Sequence, residues 1–233
     1  MRRDDHHSVD YWKKALPRWL VMSLLRREQK KLYEHFATSF PPRQDWSVLD
    51  VGTNGSLTEA RDYFLHYCYP YPERITAAGL EPSDAFHKIF PRCEYVQLKR
   101  GEPLPFADQS FDLAFSNAVL EHVGSRARQQ AFLLELVRVG KRAFITTPNR
   151  WHPIEFHTAT ALIHYLPTTT YRRIYRALGF DFFSKEENLN LLDDSALWSL
   201  LPADVRSRTE IDAHRFLGIR SNLLLTLRDA PQR

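Results

Sequence analysis

The chain of 233 residues carries only two cysteines, Cys68 and Cys93, only eight glycines and no long apolar run. Two cysteines make neither a disulfide framework nor a metal-ligand spacing. They are expected as buried thiols in a reducing compartment. No stretch approaches the ~18–20 apolar residues of a bilayer-spanning helix. The opening "MRRDDHHSVDYWKK" lacks the apolar segment of a secretory signal. A cytoplasmic location is therefore expected. Internal repeats and low-complexity segments are absent. Excess charge is also scarce: a formal +4 permits contact with an anionic surface without demanding nucleic acid. The excess is uneven, since Arg2, Arg3, Lys13, Lys14, Arg18, Arg26, Arg27, Lys30 and Lys31 crowd the N-terminus.

What is present alternates. Residues 9–39 show apolar residues at helical spacing with basic ones between, broken near Pro17. "WSVLDVG" then predicts a first strand, "LTEARDYFLHYCY" a helix, "RITAAGLEPS" a second strand ending at Glu81 and "DAFHKIF" a short helix. "CEYVQLK" predicts strand three, "FDLAFSNAVL" a fourth strand passing into a helix near "EHVG", and "KRAFITTPN" strand five. Between the last two, "SRARQQAFLLELVRVG" is an amphipathic helix with Gly140 as its stop. "TATALIHYLPTTTYRRIYRALGF" predicts two helical pieces around Pro167 and "DSALWSLLP" another helix; "RTEIDAHRF" and "SNLLLTLRD" predict a final pair of strands. Strands alternating with helices predict an α/β fold, a parallel sheet covered on both faces and doubly wound by right-handed crossovers. Ligands of such sheets sit beyond the carboxyl ends of the strands, where strand order reverses. That rule directs attention to the loops after Asp50, Glu81, Lys99, Ser116 and Thr147.

"VLDVG", "GLEPS" and "LPFADQSFDLAFSNAVLEHV", in that order, resemble class I S-adenosylmethionine-dependent methyltransferases, in particular small bacterial members. "TTPNRWHPIEFHTATALIHYLP" and "ENLNLL" are similar to one subgroup. The resemblance covers roughly residues 46–228, and the fourth-strand block is its most specific part. It implies a Rossmann-like seven-stranded sheet with an antiparallel last strand, a domain over 46–233 and an N-terminal helical cap over 1–45. S-adenosyl-L-methionine is the implied cofactor. Asp50, Gly52 and Thr53 match the loop under its methionine part. Glu81 matches the acidic residue that accepts the ribose hydroxyls. Ser116 and Asn117 match the fourth-strand end beside the amino-acid portion, and His122, next to Glu121, a cofactor-side loop.

Two departures stand out. The later glycines of the first loop are replaced by Asn54 and Ser56; asparagine tolerates positive φ better than most residues. After strand three, Lys99, Arg100, Gly101 and Glu102 stand where the family has an aspartate for the adenine amino group. Glu102 substitutes for it after a one-residue shift, or the contact comes from backbone. These departures leave a second reading open, a non-catalytic binding or regulatory protein on a methyltransferase scaffold. Nicotinamide chemistry would need GxGxxG, and only Gly52 and Gly55 are present.

"HPIEFHTATALIH" offers His152, Glu155, His157 and His164, but neither HExxH nor a compact zinc spacing. No metal is expected. The segment leaves strand five on the cofactor side, so Glu155 and His157 are candidates for removing a hydroxyl proton; the alternative is that they cap the following helix. The resemblance, not the residues themselves, implies the acceptor: a sugar hydroxyl or lipid-linked glycan, as in polysaccharide biosynthesis, with a small molecule as the other option. Nucleic acid is not an expected partner: aromatic-rich sheet motifs, zinc fingers and Asn-Pro-Pro-aromatic are all missing. The basic N-terminal helix either rests peripherally on a membrane or packs over its own domain's substrate mouth. The residues name neither the acceptor atom nor an oligomeric state.

Overall fold

The apolar run before Asp50 forms β1 (Val48–Val51), and all four of its residues are buried. That is the pattern of a strand covered on both faces. β2 (Ile75–Gly79), β3 (Glu94–Gln97), β4 (Phe111–Asn117) and β5 (Gly140–Pro148) run parallel to it. β8 (Thr209–Phe216) and β9 (Ile219–Leu227) complete a seven-stranded sheet of order β3-β2-β1-β4-β5-β9-β8. β9 is antiparallel to both neighbours. The order reverses between β1 and β4, which places the ligand crevice there. The computed structural model describes residues 18–55 and 64–229.

Alternate side chains of each strand point to opposite faces, and the two faces form separate cores. Val48, Leu113, Phe115, Phe144 and Leu224 meet α1 (Arg18–Ser39), α2 (Phe64–Cys68) and α3 (Asp84–Ile89) through Leu32, Phe36, Leu65 and Phe86. Leu49, Ala114, Ile145, Leu223 and Leu225 meet α4 (Arg126–Val139), α6 (Asp194–Ser199) and α7 (Ala203–Arg206) through Leu133, Leu136, Leu197 and Val205. A smaller cluster of Tyr171, Tyr175, Phe183, Leu189 and Leu191 anchors α5 (Thr168–Ala177) beside the exit of β5.

Several expectations need correcting. Gly140 does not merely stop α4; it is the first residue of β5, in extended conformation. A side chain there would lie 2.7 Å from the Ala114 Cβ, so the close approach of β5 to β4 requires glycine. Residues 158–166 are not helical: the two-residue strands β6 (Ile154–Glu155) and β7 (Thr160–Ala161) form a small hairpin, followed by a 3-10 turn over Ile163–Tyr165. Ala159 and Leu162 both sit at positive φ, which no helix interior accommodates. Cys93 is buried as expected, but Cys68 is exposed. The expected helix over 9–17 and the helix start at 57–63 lie outside the described residues. The described part of α1 lies on the sheet rather than over a mouth: Phe36 packs edge-on against Phe115 and Phe144, and Glu28 accepts a 2.6 Å hydrogen bond from the His214 Nε2 of β8. Among the described residues no helix is long and apolar enough to cross a membrane.

Candidate active site

The carboxyl ends of β1 and β4 open into a cleft of about 260 Å³ lined by Asp50, Val51, Gly52, Thr53, Leu65, Phe115 and Asn117. Asp50 is buried, and its carboxylate accepts a 2.9 Å hydrogen bond from the Thr53 hydroxyl. His66 of α2 brings Nε2 to 3.6 Å from the same carboxylate oxygen. Burial pushes Asp50 up to about 7, against the Thr53 hydrogen bond, and pushes His66 down to about 3. The contact is thus between a weakly acidic carboxyl and a neutral imidazole, not an ion pair, and it leaves the carboxylate without a cation among the described residues. Ser116 stands behind the cleft and spends its hydroxyl on the Val51 carbonyl at 2.9 Å. Asn117 presents its amide at the cleft, with Oδ1 held by the Thr146 hydroxyl at 2.6 Å.

The glycine-poor loop after β1 keeps a tight path by using a glycine elsewhere. Gly52 has φ +101° and would drive a Cβ to 2.2 Å from Val119. Its N–H and that of Thr53 both donate to the Ala78 carbonyl, at 2.8 and 3.1 Å. The loop can lie this close to β2 because Gly79 has no side chain: a Cβ there would sit 1.8 Å from the Thr53 carbonyl oxygen. Tyr95 of β3 closes the arrangement, donating to the Glu81 carbonyl at 2.8 Å. Glu81 lies two residues past β2, partly buried beside the cleft rather than lining it. Glu102 lies farther out, on an exposed turn where Lys99 reaches it at 3.8 Å.

A second constellation forms where the chain leaves β4 and β5. Ala118, at φ +53°, turns the chain after Asn117 into a 3-10 turn over Leu120–His122. A non-glycine residue in that region costs on the order of 1–3 kcal/mol, and such strain concentrates at functional sites. Glu121 is fully buried; Oε2 accepts from the Thr147 hydroxyl at 3.0 Å, while Oε1 has no hydrogen-bond donor. Two imidazoles face Oε1, with His122 Nε2 at 3.8 Å and His157 Nε2 at 3.9 Å. Each ring is held through its other nitrogen: His122 Nδ1 to the Asn188 carbonyl at 2.6 Å, His157 Nδ1 to Glu155 Oε1 at 2.6 Å. The rings meet edge to face at 4.7 Å. Glu155 is saturated, accepting also from the backbone N–H groups of His157 and Thr158 and from the Thr158 hydroxyl. Burial opposes charge on both members of the Glu155–His157 pair, but their mutual attraction wins: Glu155 is lowered and His157 raised. His122 is lowered by burial and by the neighbouring His157.

Residues 49–143, from β1 into β5, match the family model of a methyltransferase domain. Residues 49–143 thus carry a methyltransferase domain of the class I, S-adenosylmethionine-dependent type. Solved structures share its fold. An S-adenosylmethionine-dependent methyltransferase from Mesorhizobium loti is 14% identical, with 84% of this chain and 96% of that one covered and a TM-score of 0.53. A protein from Pyrococcus horikoshii is 12% identical over 88% of this chain and 91% of that one, at a TM-score of 0.55. The 1,6-didemethyltoxoflavin-N1-methyltransferase of Burkholderia thailandensis, solved with 1,6-didemethyltoxoflavin and S-adenosylhomocysteine, is 18% identical over 95% of this chain and 84% of that one, at 0.50. No curated protein matches the sequence.

In the methyltransferase, then, the expected residues divide into two groups. Asp50, Gly52, Thr53 and Asn117 share the cleft, with Ser116 behind it and Glu81 at its edge. His122, placed with the cofactor by resemblance, instead joins Glu155 and His157 in the second constellation. Of the other residues in that histidine-rich segment, His152 and His164 are structural: His152 Nδ1 lies 2.9 Å from the Ile154 carbonyl, and His164 Nε2 lies 2.8 Å from the His152 carbonyl. Residues 188–192 owe their place to bracing: Gln129 bonds the Asn190 carbonyl, Asn190 the Gly124 carbonyl and Arg126 the Leu191 carbonyl. Two residues carried no legible signal. Gly79 reads as an ordinary strand glycine, and His66 as a lone histidine on an apolar helix.

Proposed function

We propose that the methyltransferase transfers its methyl group to a hydroxyl oxygen of a small molecule, a glycan or a lipid-linked sugar, as in polysaccharide biosynthesis, with His157 receiving the proton. The observation that carries this reading is the His157 imidazole, oriented through Nδ1 by a saturated, buried Glu155 so that Nε2 is the nitrogen left for chemistry. A nitrogen acceptor, such as the Burkholderia thailandensis relative's name implies, needs such a base less. Glu155 is a positioning residue in this reading, since every contact it makes is internal.

The cleft fits the cofactor by its chemistry, because Asp50 is a buried carboxylate that lines it and has no cationic partner among the described residues. Bound there, S-adenosylmethionine supplies an electrophilic methyl on a positively charged sulfur. Asp50, Thr53 and Asn117 would face its methionine part across Gly52, and Glu81 its ribose hydroxyls. Glu102 or nearby backbone would meet the adenine. As the acceptor oxygen took the methyl group, His157 would receive its proton at Nε2. Alignment can contribute about 7–11 kcal/mol of barrier reduction. In this reading residues 46–233 form the catalytic domain, and residues 1–45 are an N-terminal extension to it.

Isotope-labelled methyl transfer to a panel of sugars, phenols and amines tests the acceptor class; transfer confined to amines would overturn it. His157→Ala is expected to lower turnover at least tenfold while S-adenosylhomocysteine binding stays within twofold. Full activity would make His157 a packing residue. Glu81→Ala is expected to weaken S-adenosylhomocysteine tenfold or more by calorimetry; unchanged affinity would remove Glu81 from the ribose site.

A further inference from the structure

Among the described residues the buried Glu121 Oε1 atom has no hydrogen-bond donor, and two imidazole nitrogens face it. A backbone carbonyl cannot donate, so the Asn188 carbonyl fixes the proton of His122 on Nδ1. The carboxylate of Glu155 does the same for His157. Both Nε2 atoms then face the carboxylate oxygen, and in the neutral form of each ring Nε2 carries the lone pair that a cation would take. At 3.8 and 3.9 Å they are too far for hydrogen bonds, which leaves room for a cation between them. The three ligand atoms lie within 4.8 Å of one another. Metal–ligand bonds of about 2.0–2.1 Å in a tetrahedron require ligands about 3.4 Å apart. The two carboxylate–imidazole separations, 3.8 and 3.9 Å, exceed that by about half an ångström, and side-chain rotation would have to draw all three atoms together.

We propose that Glu121, His122 and His157 form a site for one divalent transition-metal ion, with Zn²⁺ suited to the ligand set. Two imidazoles and a carboxylate are borderline ligands of the kind Zn²⁺ and Fe²⁺ take. The outer partners are those a metal-bound histidine needs: an acceptor on the far nitrogen of each ring, one of them a carboxylate. Three protein ligands leave a fourth position, and the partial exposure of His122 leaves it reachable. Sequence spacing could not show this set, because two ligands follow β4 and the third lies in the hairpin after β5. The inference goes beyond the acceptor reading, since it concerns what lies between three side chains whatever the methyl acceptor is. An ion and a proton compete for the same His157 Nε2. A loaded enzyme would therefore activate a hydroxyl by coordinating it, releasing the proton to solvent.

The test uses the full chain without a polyhistidine tag, stripped with chelator and titrated with Zn²⁺ and, as a spectroscopic probe, Co²⁺. One equivalent is expected to bind at micromolar or lower Kd, to raise Tm by several degrees and to give a Co²⁺ visible band. Glu121→Gln and His122→Ala are each expected to weaken binding at least tenfold while circular dichroism and S-adenosylhomocysteine affinity persist. Absence of saturable binding, or binding undiminished in either variant, overturns the proposal. Should either variant misfold, a Zn²⁺-soaked wild-type crystal decides: an anomalous peak between the three ligand atoms supports the site, and a peak elsewhere or none overturns it. None of these readouts requires methyl transfer, so failure of the acceptor reading leaves the metal result standing, and the reverse.

Discussion

Gly79→Ala is expected to cost the enzyme at least tenfold in S-adenosylhomocysteine affinity and to lower Tm by roughly 3–10 °C, for an overpacking penalty of about 1–3 kcal/mol. The added carbon would stand 1.8 Å from the Thr53 carbonyl oxygen and 2.5 Å from the Tyr95 hydroxyl. The tyrosine can swing away, but the carbonyl is backbone and moves only with its loop. That loop is tied to β2 by the Gly52 and Thr53 N–H groups on Ala78, so relief of the clash pulls on the strand end as well. Gly52, Thr53 and Asp50 line the cleft, and their displacement is read directly as lost ligand affinity. Gly218→Ala is the control: its φ of +82° also strains an alanine, but nothing lies within 4 Å of the added carbon. It should lower Tm slightly and leave ligand affinity within twofold. If Gly79→Ala binds S-adenosylhomocysteine as the parent does, the loop does not carry the cofactor.

That glycine shows what was and was not legible in the sequence. Buried strands announce themselves by local composition: "VLDV" and "FDLAFSN" needed no distant information, and the alternation of strands with helices was enough for the sheet. Close approaches are pairwise. The first loop reads as degenerate because its own letters are searched for glycine, whereas the space is made by Gly79 on the neighbouring strand. The same holds at Gly140, whose apparent role as a helix stop conceals its contact with Ala114. Residues 158–166 misled for a different reason. Their apolar spacing suits a helix, but Glu155 draws the N–H groups of His157 and Thr158 onto its carboxylate and holds the chain in a turn. Positions at strand ends were readable, as at Asp50 and Asn117, which both line the cleft. The partnership of Glu121 and His122 with His157 depends on two loops converging from adjacent strands, which no local pattern encodes.

Asp50→Asn is expected to stabilise the protein and to impair it as an enzyme. The wild-type carboxyl is buried, its neighbour His66 is neutral, and burial lifts its pKa to about 7. An acid whose folded pKa is raised binds its proton in the folded state at pH values where the unfolded chain has released it. Its stabilising contribution is complete below about pH 4 and is lost as pH rises through 7. Asparagine keeps the size of the side chain and an oxygen for the Thr53 hydroxyl, and does not titrate. The difference in Tm between variant and parent should therefore be near zero at about pH 4, grow between pH 4 and 7 and level off above. Three pKa units correspond to at most about 4 kcal/mol, and a gain of roughly 5–10 °C at pH 8 is expected. Ligand binding should move the other way. In the proposed site the ionised carboxylate meets the cationic amino group of the cofactor's methionine part, so affinity for S-adenosylhomocysteine should rise with pH through about 7 in the parent and stay flat in the variant. At pH 8 the variant should bind at least tenfold more weakly. A variant that gains stability and binds as tightly as the parent would show that Asp50 is a buried acid with no part in holding the cofactor; one that loses stability at pH 8 would show that the carboxylate has a cationic partner in the folded protein.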